Sequence, residues 1–182
     1  MSPVRVSRPS RQQGFTILEV MISATVFLLV AGAVVTTLVV STALNSTNRE
    51  SALASRAVQS KLEEVKAVAF SEAFARYNST AADNPALGTS PGNTFAVVGL
   101  SPQDGDADGF VGSVQFPGPG NALQENVVDE ELGMPRDLDG DTVTDAADHA
   151  GDYRVLPVRV VVQWKGKNGA RSLDMVTVLT EY

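Results

Sequence analysis

The sequence predicts an α+β fold, with a long N-terminal helix packed on a small antiparallel β-sheet. Three observations carry that expectation. An apolar run from Phe15 to Leu44 contains one charged residue, Glu19, and no proline. An amphipathic stretch continues it to about Phe70. Near the C-terminus, two Val-rich segments, Tyr153 to Trp164 and Ser172 to Thr180, flank a Gly/Asn turn at Lys165 to Ala170.

The first run sets the N-terminal half of the helix. At about 1.5 Å per residue it would extend roughly 45 Å, enough to cross a hydrocarbon core of about 30 Å. It is too long for the core of a secretory signal peptide, and an acid near its start is wrong for one. A carboxylate inside such a span costs on the order of 2.5–3.5 kcal/mol on insertion scales. Glu19 therefore reads as a functional residue. Arg5, Arg8 and Arg11 precede the run and would orient a single uncleaved anchor, the plainest alternative.

Beyond the span, Leu53, Ala57, Val58, Leu62, Val65 and Ala69 recur at spacings of three and four. Such a stripe packs against a sheet. Asn78 to Pro91, rich in Ala, Asn, Ser, Gly and Pro, reads as loop. Thr94 to Leu100 and Phe110 to Phe116 are short strand candidates, and Pro117 to Gly120 is a break. Gln124 to Met134 holds a helical turn or only loop. The last two strands form a hairpin, and Pro157 points to an edge position or a bulge in the first of them.

Composition excludes several function classes. There is no cysteine, so disulfides, thiolate zinc sites and a cysteine nucleophile are absent. A single histidine, His149, rules out paired-histidine catalysis and multi-histidine metal sites. It reads as a surface residue, with an added ligand role as the alternative. Removal of the three leader arginines would leave 11 Lys+Arg against 21 Asp+Glu, a net charge of −10. That balance argues against a nucleic-acid partner, which needs clustered basic groups. Lys165, Lys167 and Arg171 are too few for phosphate binding and read as a solvated turn, and Trp164 reads as packing. Asn45 and Asn78 begin Asn-Ser-Thr sequons, a short motif that arises by chance.

One segment suggests a cation. Asp137, Asp139, Asp141, Asp145 and Asp148 stand at positions 1, 3, 5, 9 and 12 of a loop, with the Val143 carbonyl at position 7. Calcium loops use this spacing to gather 6–8 hard oxygens around one ion. The segment resembles the aspartate-rich repeats of thrombospondin type 3 and dockerin modules, with Thr142 where a glycine is usual. A weaker fragment, Asp104, Asp106 and Asp108, has the first three positions only. A solvated polar loop is the competing reading for both.

Arg11-Gln-Gln-Gly14-Phe15-Thr-Ile-Leu-Glu19 and the span behind it resemble the signal of type IV prepilins and type II secretion pseudopilins. The resemblance is specific from Arg11 to about Phe70. It implies cleavage by a prepilin peptidase between Gly14 and Phe15, N-methylation of Phe15, and an assembly role for Glu19. It divides the chain into a leader (1–14), a transmembrane and filament-core helix (15–44) and a soluble pilin-like domain (45–182) with the acidic loop 137–148. It implies residence in the inner membrane as a single-pass protein, with the C-terminal domain periplasmic or on an extracellular filament. The implied partners are other pilin or pseudopilin subunits, the peptidase and an inner-membrane assembly platform, and the chain would not be an enzyme. Many pilins close a C-terminal loop with a disulfide. Others use calcium there, which suits a chain without cysteine. The absence of a proline inside the span leans toward a minor subunit. An anchored calcium-binding adhesive module that never polymerises is the alternative function.

Overall fold

The computed structural model describes residues 14–80, 91–119, 122–167 and 169–181. The leader before Gly14, and most of the loop expected after Asn78, lie outside these residues. Six elements follow in order: α1 (Ile17–Lys66), α2 (Phe70–Tyr77), β1 (Thr94–Phe95), β2 (Gly112–Gln115), β3 (Val155–Gly166) and β4 (Gly169–Thr180). The chain divides into two compact units, Met1–Leu44 and Asn45–Tyr182.

In the first unit, α1 begins at Ile17 rather than Phe15 because Thr16 caps it. The Thr16 hydroxyl oxygen accepts the Glu19 N–H at 3.2 Å, and its carbonyl accepts the Val20 N–H at 3.2 Å. This satisfies a donor that a helix start otherwise leaves open. Among the described residues this is the one helix long and apolar enough to cross a membrane. Its large side chains are exposed on every side, Ile17 at 83% and Leu29 at 70%. The hydroxyls of Thr25, Thr36, Thr37 and Thr42 bond back to the carbonyls of Met21, Gly32, Ala33 and Val39, each at 2.9 Å. These four hydroxyls are thus satisfied within the helix, as a lipid environment requires.

In the second unit, α1 buries Ala54, Val58, Leu62 and Val65, a stripe spaced four, four and three. Leu53 and Ala57 lie half-buried beside it, whereas Ala69 is exposed and outside the helix. The expected continuation to Phe70 is interrupted. Ala69 is extended (φ −56°, ψ 134°), and a second helix, α2, starts at Phe70. α2 buries Ala73, Phe74 and Tyr77. Its position is fixed by aromatic contacts and a hydrogen bond. Phe70 lies 4.9 Å from the Tyr153 ring, Phe74 lies 5.0 Å from Phe116, and the Tyr153 hydroxyl donates to the Phe70 carbonyl at 2.7 Å.

The sheet is antiparallel in the order β1-β2-β3-β4. The hairpin runs in unbroken register from Val155↔Thr180 to Gly166↔Gly169, so the turn is shorter than expected. β1 is two residues rather than seven. A turn closed by the Leu100 N–H and Val97 carbonyl, with Gly99 at φ 92°, ends it early. β2 starts after Phe110, whose N–H is held by the Asp108 carboxylate at 2.8 Å. Residues 124–134 form turns and one bridge, Asp129↔Met134, not a helix. Pro157 sits where β3 is locally an edge. β2 pairs with β3 only from Arg159 to Val162, so the missing N–H breaks no ladder bond. Leu156, Val158, Val160, Val162 and Trp164 of β3 alternate into the core beside the α1 stripe.

Candidate functional site

Two regions carry the residues singled out by sequence. At the N-terminus, Gly14 and Phe15 precede the helix and are exposed, Phe15 at 80%. Among the described residues, none beyond the adjoining chain comes within 4 Å of the place a Cβ on Gly14 would occupy. Glu19 is exposed in the first turn of α1, where a negative charge faces the positive helix end favourably.

In the acidic loop, backbone N–H groups fold onto carboxylates. Asp137 accepts from Gly140 at 2.6 Å and Thr142 at 2.8 Å. Asp139 accepts from Asp141 at 2.9 Å, and Asp141 accepts from Val143 at 2.7 Å. These turns bring one carboxylate oxygen each from Asp137, Asp139 and Asp141 within 4.8 Å of one another. Thr142, the residue at the glycine position, adopts φ 73°. A β-branched residue rarely takes that conformation, so the loop holds the tight turn despite its sequence. The hydrogen bonds, first that from Gly140, hold the Asp137 carboxyl below the usual carboxylate range.

The other predicted ligands face elsewhere. Asp148 accepts the Leu123 N–H at 2.9 Å. Asp145 accepts the Ala147 N–H at 2.7 Å and lies 3.3 Å from His149 Nε2. Val143 is exposed at the loop surface. In the weaker fragment, Asp106 and Asp108 close turns on Asp108 and Phe110, while Asp104 pairs with Lys165 at 2.7 Å. Lys165 is thus neutralised, and Arg171 lies 6.0 Å over the Trp164 ring. Trp164 is 2% exposed and packs in the core.

Two residues under the loop were not foreseen in these roles. His149, expected at the surface, is buried. Its Nδ1 lies 3.3 Å from Asp152 and 3.5 Å from Asp139, and its Nε2 lies 3.8 Å from Glu125. Burial alone would lower its pKa. The Asp145 hydrogen bond and the charges of Glu125, Asp152 and Asp139 outweigh that and hold it above the ordinary histidine value. Glu125, 1% exposed, accepts N–H groups from Leu138 at 2.5 Å and from Asp139 and Asp145 at 3.3 Å each. The Arg136 N–H donates to its carbonyl, and the Asn126 N–H donates to the carbonyl of Asp145. One short segment thus props the loop from beneath. Glu125, Asp139 and His149 also form a group whose ligand atoms lie within 4.8 Å. No local pattern marks Glu125 in the sequence. Its role comes from contacts 13 to 20 residues away.

Chemically, the loop offers several carboxylate oxygens around one point, a donor set for a hard cation. The N-terminus offers an exposed glycine–phenylalanine bond ahead of an apolar helix. No curated protein and no solved structure shows significant similarity to the chain. Residues 9–35 match the model of the prokaryotic N-terminal methylation motif. The chain therefore carries the prepilin signature of type IV pilins and pseudopilins on a long helix followed by a small antiparallel sheet.

Proposed function

We propose that the chain is a minor pilin or pseudopilin subunit. It is processed by prepilin peptidase between Gly14 and Phe15, methylated on Phe15 and assembled into a type IV pilus or type II secretion pseudopilus. The observation that carries the reading is the methylation motif, with its Gly14–Phe15 bond exposed two residues before an apolar helix. Its chemistry is assembly rather than turnover. Cleavage frees the Phe15 amine, and Glu19 pairs with such an amine in a neighbouring or the same chain. The pairing offsets the cost of one acid in an otherwise uncharged span. The span then packs among others, which suits a helix whose apolar side chains lie exposed all round.

The acidic loop is read as a calcium site. Asp137, Asp139 and Asp141 supply converging oxygens, and Asp145, Asp148 and the Val143 carbonyl, which lie in the same loop but face other partners, would have to turn toward the ion to complete a shell of 6–8 oxygens. The left-handed turn at Thr142 supports this, because a loop wrapped around one ion needs a sharp turn there. The bound ion would neutralise crowded carboxylates and fix the loop, the task a disulfide performs in other pilins.

Mass spectrometry of the chain from cells containing the peptidase tests the main reading. A methylated Phe15 N-terminus is expected, and Glu19→Ala should be cleaved normally yet enter filaments poorly. An intact leader in those cells would overturn the assignment.

A further inference from the structure

We propose that the groove beside the end of α1 docks a second, parallel copy of this chain, which inserts the turn carrying Val98. The groove holds about 450 Å³ and is lined by Lys66, Val68, Phe70, Val178, Leu179 and Thr180. It lies where α1 ends and β4, an edge of the sheet, finishes. Val68, Phe70 and Leu179 are only partly buried there, and Val178 is 41% exposed. Covering such a concave apolar surface removes it from water, the main drive of association.

The matching knob belongs to the same unit. Val98 is 93% exposed, more than any other large apolar side chain among the described residues. It projects from a tight turn, closed by the Leu100 N–H and the Val97 carbonyl at 3.1 Å, with Gly99 at φ 92°. The backbone of this turn rests on α1, since a Cβ on Gly99 would stand 3.0 Å from Leu53 Cδ1. A braced turn docks without first being ordered, which lowers the cost of binding.

Position selects a second copy as the occupant. Parallel copies follow from the pilin-like reading above, on which this contact rests. A contact repeated along a helical array of parallel copies joins two different patches, set on opposite flanks and at different heights. Knob and groove meet both conditions. The turn follows β1 at one edge of the sheet, and the groove is at β4, the other edge. Leu53 and Lys66 flank the buried stripe of Ala54, Val58, Leu62 and Val65 on either side. Their separation in sequence places them about 140° apart around the helix and about 20 Å apart along it. A copy displaced by about 20 Å along α1 therefore brings its turn level with its neighbour's groove. The flanking charges are complementary. Asp106 and Asp108, which follow the turn, are exposed and accept only backbone N–H groups. Lys66 rims the groove and is held by Glu63 only at 3.5 Å.

The chain has no cysteine, so placed thiols report the contact. The full chain carrying both Val98→Cys and Val178→Cys is expressed in cells with the peptidase and the assembly system, then treated with a short bifunctional thiol reagent. A ladder of dimers, trimers and larger species is expected. Either change alone should give no cross-link, because equal positions in successive copies stand about 20 Å apart. Adding Thr180→Trp, which fills the groove from an exposed strand end, should remove the ladder while the protease resistance of the folded domain stays unchanged. A missing ladder, which would leave the groove to another partner, overturns the proposal. So do dimers without larger species, a cross-link from either single change, or a ladder that survives Thr180→Trp. The mass of the chain in the same sample reports the leader. An intact leader would overturn the pilin-like reading whether or not the ladder forms, whereas a processed chain without a ladder would overturn the docking alone.

Discussion

The two acidic loops begin with the same Asp-x-Asp-x-Asp spacing and end as different structures. Around Asp104, Asp106 and Asp108 the carboxylates are exposed and close short turns, and a lysine from the neighbouring hairpin neutralises one of them. Around Asp137, Asp139 and Asp141 the loop rests on a buried glutamate and a buried histidine, and Thr142 is held in a left-handed turn. The difference lies outside the motif. An acidic repeat becomes a constrained loop when another segment supplies the groups that receive its backbone and face its charge.

Removing that support should break the comparison most sharply. In a chain beginning at Asn45, Glu125→Ala would leave three N–H groups without their buried acceptor. Each such group costs about 1–3 kcal/mol, so a loss of roughly 3 kcal/mol or more is expected in urea unfolding. Asp106→Ala in the other loop should stay within about 0.5 kcal/mol.

Calcium should separate the loops next. Saturating calcium at about a hundredfold excess over Kd would add about 2.7 kcal/mol to the native state. The melting temperature should rise with calcium and fall with chelator. The double change Asp139→Ala with Asp141→Ala should remove the response, whereas Asp104→Ala with Asp106→Ala should leave it. A melting temperature indifferent to calcium in the parent chain would end the calcium reading. Thr142→Gly should then stabilise the calcium-free domain by about 1 kcal/mol, the cost of a left-handed conformation for a residue with a Cβ. Thermal melting in chelator provides that measurement.

Protonation of His149 gives the finest distinction. Its folded pKa lies above its unfolded value, so its contribution is fully present below the unfolded pKa of about 6.5 and fades as pH rises through the raised folded value. Without calcium, stability should decline across that window, and His149→Gln should flatten the profile. Asp137 acts with the opposite sign. Its depressed pKa contributes stability above the unfolded carboxylate value, lost as pH falls through the folded one.

The long helix and the hairpin were legible because each is written locally. Spacing of three and four runs through Val58, Leu62 and Val65, and valines alternate through β3. The helix break at Ala67–Ala69 was not legible, since no glycine or proline marks it. Docking of Phe70 and Phe74 on Tyr153, about 80 residues away, decides it. The acidic spacing was visible, yet Glu125 and the burial of His149 were not. Both depend on a neighbouring segment whose own sequence reads as loop.

Trp164, the chain's only tryptophan, gives the molecule an optical readout. Its indole N–H donates to Glu50 on α1 at 3.3 Å, across 114 residues, and its ring is shielded from water. Emission from this one fluorophore therefore follows the contact between helix and hairpin. A red shift would signal that the two have parted, and an unshifted spectrum during calcium removal would show that only the loop had loosened.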